Sequence, residues 1–306
     1  MGAGAGGAPA RTRRAASVPI DLVANVVVAG LLAGLVYGLA ALGLSVIFGV
    51  VRVVNFAHGE MMTAAMYLAV VLVGLTGIDP LVAALPVGGV LFLFGYALQR
   101  GLINAFVTRP EHTQFILLVA VAIILVNVQL MVFGPNARNV QVDYALDSFE
   151  IGPLIIDKVR VYAAAAAVLA AGALFAFFRR TLVGKSIRAC ADNYLGAQVV
   201  GLNVKRLYAL TFGLGAACVG AAGCMMLLLV DVTPVQGPAY TLLAFIIVIV
   251  GGMGSLTGAL AAGVVIGMSE ALAGLLIAPS AKSMVTFAIL ILVLLFRPQG
   301  LLGRAG

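Results

Sequence analysis

The sequence predicts an all-α integral membrane protein: a polytopic bundle of about eight to ten spans with interrupted helices, a span needing about 20 residues. Three observations lead there. Of 306 residues, 63% are hydrophobic and 9% charged, where a soluble domain carries roughly 25% charge. Mean hydropathy is +1.18, which excludes a cytosolic enzyme. The apolar residues fall in long continuous runs, not the short alternating segments of a membrane barrel, so the spans are helical. No stretch is polar enough to build a sizeable soluble domain, and chemistry that needs one belongs to a partner chain.

Residues 1–17 are rich in Gly and Ala, carry Arg11, Arg13 and Arg14, and read as a disordered cytoplasmic tail before a single transmembrane domain, 18–306. The next apolar run is too long for a signal-peptide core and lacks a clear cleavage site. Apolar segments follow at 20–40, 41–51, 60–76, 81–107, 114–133, 161–178, 207–230, 239–250, 256–278 and 283–296. Those at 41–51, 239–250 and 283–296 are too short to span unaided.

Loop charge orients the chain. The 179–206 loop holds Arg179, Arg180, Lys185, Arg188, Lys205 and Arg206 against Asp192, whereas 134–159 holds Arg138 and Lys158 against Asp143, Asp147, Glu150 and Asp157. Basic loops stay inside, so 179–206 is expected in the cytoplasm and 134–159 outside. Arg297 and Arg304, with the N-terminal arginines, place both termini in the cytoplasm. The net charge of +7 then reflects retained cytoplasmic loops rather than nucleic-acid binding.

A faint internal repeat appears. Segment 20–40 precedes a pair interrupted at Asn55–Glu60, and 207–230 precedes a pair interrupted at Gly251–Gly258. Interrupted segments at matching places point to a transport pathway, because non-helical backbone survives at membrane depth only where protein or water covers it. A plain glycine-rich connection is the competing reading. Gly30, Gly34 and Gly38, and separately Gly263 and Gly267, have the spacing of close helix packing; the partner helices are not readable.

His58 and Glu60 stand between apolar segments, near Arg52 and Asn55. They line a polar constriction or contact a zwitterionic substrate, or else Glu60 pairs with Arg52 and Asn55 caps the next helix. Glu270 carries the same two readings. Gly184-Lys185-Ser186 imitates the end of a phosphate-binding loop, but position 179 is Arg and no strand precedes it, so no nucleotide site is expected. Cys190, Cys218 and Cys224 lack metal-ligand spacing and read as structural thiols. The 179–206 loop interleaves Leu182, Val183, Ile187, Cys190, Leu195, Val199 and Val200 with charge. That predicts one surface helix closed by Gly201-Leu202-Asn203, docking on a soluble partner or on the headgroup layer.

Asn55-Phe56-Ala57-His58-Gly59-Glu60 resembles the signature of the LivH-type permeases, membrane subunits of bacterial ABC importers for branched-chain amino acids. Arg188-Ala189-Cys190-Ala191-Asp192 through Gly201-Leu202-Asn203 is similar to their coupling loop. Gly251-Gly252-Met253-Gly254-Ser255 resembles their glycine turn, and Phe296–Gly303 their C-terminal motif. The order and spacing hold across nearly the whole chain.

The resemblance implies an ABC importer permease fold in the bacterial inner membrane and no catalysis or cofactor in this chain. The partners it implies are a LivM-like second permease, two LivG/LivF-like subunits that bind ATP, and a periplasmic binding protein. ATPase coupling would rest on Gly184, Arg188, Ala189, Ala191, Asp192, Gly201, Leu202 and Asn203. The translocation pathway would run by Asn55, Phe56, His58, Glu60, Gly251, Gly252, Gly254 and Ser255. Asn193 and Tyr194 depart from the charged residues usual after the coupling motif. Close relatives handle urea and short amides, and an ion-coupled carrier using Glu60 and Glu270 is the remaining alternative.

Overall fold

Apolar runs bounded by Pro, Asp, Asn and Gly fold as helices along almost the whole chain. The computed structural model describes residues 19–107 and 109–303; the predicted 1–17 tail lies outside them. Helix α1 spans Ile20–Val51 and ends where Arg52 turns left-handed at φ 57°. α2 spans His58–Thr76, stopped by Gly77. α3, Pro80–Gly101, begins where the Asp79 carboxylate accepts the Leu81 N–H at 2.7 Å. α4 is Glu111–Phe133 and α5 Lys158–Arg180. Between them strands β1 (Ser148–Ile151) and β2 (Leu154–Asp157) form an antiparallel hairpin in the 134–159 loop.

Two short helices follow, α6 (Leu182–Asp192) and α7 (Tyr194–Val199). Then come α8 (Val204–Leu227), α9 (Gly237–Gly251), α10 (Leu256–Leu276) and α11 (Ala281–Phe296). Among the described residues eight helical segments are long and apolar enough to cross a membrane, with α11 a shorter ninth. The chain is thus the polytopic helical bundle expected.

One boundary is corrected. Segments 20–40 and 41–51 are a single helix of 32 residues, about 48 Å at 1.5 Å per residue. The short run at 41–51 is thus the second half of a longer span rather than a segment of its own. Asn25 accepts the Ile155 N–H at 2.8 Å and donates to the Pro153 carbonyl, so α1 starts beside the β-hairpin. Its other end, Phe48 to Arg52, faces α6 across a cavity. The described chain therefore begins beside the β-hairpin and ends beside the 252–257 turn.

Glycine sets the helix spacing. A methyl on Gly34 would lie 2.6 Å from the Gly263 carbonyl oxygen, and one on Gly267 2.5 Å from that of Gly30. The two glycine series are each other's partners, an α1–α10 seam in which backbones touch. On the other side of α1, Gly43 and Gly215 meet in the same way, while α3 and α8 pack through Gly95 against Ala216 and Gly220 against Gly88. The core lies where these seams converge: α1 from Val36 to Ile47 and α8 from Phe212 to Leu227 are largely buried.

Candidate functional site

The junction of α2 and α9 lies inside the bundle. The His58 imidazole donates from Nε2 to the Ala40 carbonyl at 3.0 Å. This sets the start of α2 eleven residues back along α1 from Val51, about 16 Å in from the loop face. Residues 53–57 are the climb back. Asn55 shapes it by accepting the Ala57 N–H at 3.1 Å, one residue before the first turn of α2. α9 begins at the same depth, since a methyl on Gly59 would overlap the Gly237 carbonyl. Two helix N-termini therefore meet there, and their unpaired amide ends favour negative charge.

Glu60 occupies this junction. It is 3% exposed, and its carboxylate accepts the Thr241 hydroxyl at 3.2 Å. Thr241 in turn accepts the Gly59 N–H at 2.8 Å, and Gln129 donates to the Glu60 carbonyl at 3.2 Å. Phe56 closes the loop-face side, packed on Phe115 and Phe245. Among the described residues Glu60 has no ion pair. The expected Arg52–Glu60 pair is corrected: α1 runs on to Val51 and carries Arg52 to the loop face, away from the carboxylate. Thr241 and Gln129 were not singled out in sequence, because each reads as an isolated polar residue in an apolar run and its partner is far along the chain.

The second region is a cavity of about 1080 Å³ on the loop face, between the end of α1, the end of α5, α6 and the 252–257 turn. Arg52, Arg179, Lys185 and Arg188 line it, with Asp192, Gly254 and Ser255. The cavity thus joins two residue sets separated by some sixty positions in sequence. Gly252 and Gly254 have φ 102° and 80°, values only glycine adopts readily. The turn they make is clasped by the C-terminal motif, with Leu301 and Leu302 donating to the Val250 and Gly251 carbonyls at 2.8 and 3.1 Å. Ser45 on α1 donates to the Ser255 carbonyl at 3.3 Å, tying α1 to the turn. The predicted pathway residues therefore separate: Asn55, Phe56, His58 and Glu60 at the start of α9, and Gly251 to Ser255 at its end.

The 179–206 loop is two helices, not one. Thr181 caps α6 by accepting the Gly184 N–H at 3.0 Å, and Gly184 lies against the Phe178 backbone at the α5–α6 corner. Asn193 breaks the run and caps α7 by accepting the Gly196 N–H at 2.8 Å, so the departure noted after Asp192 is a helix start. Gly201, at φ 83°, ends α7, Leu202 donates back to the Ala197 carbonyl, and Asn203 caps α8. Ile187, Cys190 and Ala197 pack inward, and burial pushes the Cys190 thiol pKa up. Leu182, Leu195, Val199 and Val200 remain between 57% and 87% exposed.

A multi-pass bundle with two helices beginning inside its thickness, and an amphipathic loop standing out from one face, is built as a membrane transport permease. Residues 26–294 match the family described as branched-chain amino acid transport system / permease component, and the chain belongs to that family. It is 31% identical to the high-affinity branched-chain amino acid transport system permease protein LivH of Salmonella typhimurium, over 90% of this chain and 94% of that one. It is 28% identical to the corresponding BraD protein of Pseudomonas aeruginosa, again over 90% and 94%. A probable branched-chain amino acid transport permease LivH of Methanocaldococcus jannaschii is 25% identical over 87% of this chain and 88% of its own.

Proposed function

We propose that this chain is a permease subunit of an inner-membrane ABC importer that carries branched-chain amino acids into the cytoplasm. Partner subunits hydrolyse the ATP, and this chain itself holds no cofactor. Its assembly is with a second, LivM-like permease, two ATP-binding subunits and an external substrate-binding protein. The observation that carries the reading is the α6–α7 surface. An amphipathic helix pair that already buries Ile187, Cys190 and Ala197 still exposes Leu182, Leu195, Val199 and Val200 amid charge. Such a second apolar face, anchored to the bundle surface by its buried one, suits a groove in a soluble partner. With it in the cytoplasm, the basic loop obeys the positive-inside rule, the β-hairpin is external and the C-terminal motif is internal.

Coupling follows from what the loop touches. Displacement of α6 by the ATPases presses on the cavity that α6 shares with the end of α1 and the 252–257 turn. The turn leads α9 back to the Glu60 junction, so motion at the loop face reaches mid-bundle through one helix. Purification from native membranes in mild detergent, with mass spectrometry, tests the assembly: a second permease and two ATPases are expected, and an intact lone chain overturns it. In proteoliposomes the complete assembly is expected to take up leucine, isoleucine or valine only with ATP and binding protein, without competition from urea. Uptake by this chain alone, driven by a proton gradient, would establish a secondary carrier instead.

A further inference from the structure

A second loop-face cavity lies where the last turn of α3 meets the first turn of α8, with Asn203, at the end of the 179–206 loop, on its wall. It encloses about 610 Å³ and is lined by Tyr96, Arg100, Asn104, Asn203, Lys205 and Arg206. Three of these are cations and no carboxylate is among them. Its floor is fixed: Asn104 accepts from Gln99 at 3.0 Å and donates to the Lys205 carbonyl at 3.3 Å, joining the turn after α3 to the start of α8. Close packing of Gly95 on Ala216 holds the two helices together just below.

Phe92, Tyr96 and Arg100 are spaced four residues apart and share one face of α3. Phe92 stacks with Tyr96 at 6.3 Å, and Arg100 donates to the Tyr96 hydroxyl at 3.4 Å. Along this face the chemistry passes from hydrocarbon to an amphipathic ring to a cation, the sequence a side chain meets on leaving a bilayer. Leu93, next to it, is 66% exposed and extends the apolar surface away from the cavity.

We infer that this cavity is a site for the headgroup of an anionic phospholipid, whose acyl chains lie along the Phe92–Leu93 surface of α3. Arg100, Lys205 and Arg206 face its phosphodiester, arginine offering paired N–H donors to phosphate oxygens. Basic pockets between transmembrane helices at the headgroup level are where such lipids are held. A free phosphate would satisfy the cations but leave the α3 surface unused, and an acidic protein segment would have no use for the Phe92–Tyr96–Arg100 gradient. The site requires only that the chain spans a bilayer, so it stands or falls separately from the importer reading.

The test is native mass spectrometry and thermal melting of the detergent-purified chain, or of its complex, titrated with phosphatidylglycerol, phosphatidylcholine or inorganic phosphate. Phosphatidylglycerol is expected to be retained and to raise Tm, and the other two to do neither. Arg100→Gln with Arg206→Gln is expected to weaken phosphatidylglycerol retention roughly twenty-five-fold, at roughly five-fold for each cation near the surface. Lys282→Gln at the start of α11 should leave it unchanged. Equal retention of both lipids by the unsubstituted protein, which needs no variant to fold, overturns the site. So does an equal Tm rise with inorganic phosphate, or a double variant that keeps its lipid but loses a co-purifying ATPase.

Discussion

The Glu60 junction and the loop-face cavity are both polar, yet they are built in opposite ways. At the junction Glu60, Thr241 and Gly59 bond to one another, His58 Nε2 bonds to the α1 backbone, and glycines allow the two helix ends to touch, leaving His58 Nδ1 and Gln129 Oε1 as its buried unpartnered atoms. On the loop face Arg52, Lys185 and Arg188 line an open space, and among the described residues neither ion pair involves them. The difference follows from solvent. A buried polar group without a partner costs about 1 to 3 kcal/mol, whereas charges in contact with water or headgroups do not need one. The junction is therefore expected to govern folding, and the cavity to govern coupling.

The largest expected effect is a break at the junction. Gly59→Val places branched carbon against the Gly237 carbonyl and the Thr241 backbone, where only movement of α2 or α9 relieves it. Overpacking of this kind costs about 3 kcal/mol, and loss of most monodisperse protein in size-exclusion chromatography is expected. Gly89→Val has open space around it and should keep its yield. Equal yields from the two variants would mean that the junction is not the tight contact described.

The converse variants act on the loop face. Gly201→Pro demands φ near −65° where the chain has 83°, and it deletes the N–H bonded to Gln198. Asp192→Arg reverses the one acid on the cavity wall. Both are expected to keep folded yield and to lower ATP-driven uptake by about ten-fold (1.4 kcal/mol of coupling). Normal substrate-stimulated uptake in both would remove α6–α7 from the coupling path.

Why the junction was half legible in sequence is physical. His58, Glu60 and Asn55 stand out because ionisable and amide groups are rare in apolar runs. The glycine series at Gly30–Gly38 and Gly263–Gly267 stand out by spacing. What pairs with what is a long-range property: Gly59 and Thr241 are 182 positions apart, and no local pattern links them. Arg52 and Glu60 are eight apart, near enough in sequence to pair, but a helix that continues to Val51 separates them. Apolar periodicity could not mark that continuation, since α1 is hydrophobic all round. On the loop face the charges and the closing Gly201 were legible because they act within a few residues of themselves, while the caps Thr181 and Asn193, which divide the run into α6 and α7, were not. Asn193, which departs from the charged residues usual there, is the cap that starts α7.

Smaller effects refine the junction. Thr241→Val removes the acceptor of the Gly59 N–H and the donor to Glu60, and Glu60→Gln changes the acceptor alone. Losses of about 1 to 3 kcal/mol for the first and less for the second are expected, read as Tm. The double variant should fall short of their sum, because the bonds are shared. Full additivity would deny the network, and a well-assembled Glu60→Gln with an altered substrate range would move Glu60 from scaffold to pathway.

The smallest effect compares the two faces of α6. Cys190 is 2% exposed, and burial raises its thiol pKa, outweighing the opposite pull of the Tyr208 hydroxyl. The thiolate is the reactive form, so a raised pKa leaves less of it at neutral pH, and labelling should speed up only as pH rises further. Leu182, eight residues earlier on the same helix, is 80% exposed. Maleimide at pH 7 is therefore expected to label Leu182→Cys at least about ten-fold faster than native Cys190. If the outer face of α6 seats in an ATPase, adding the partner subunits should slow labelling at position 182 and leave Cys190 as it was. Unchanged labelling at 182 in the full assembly would place the docking face elsewhere on the loop.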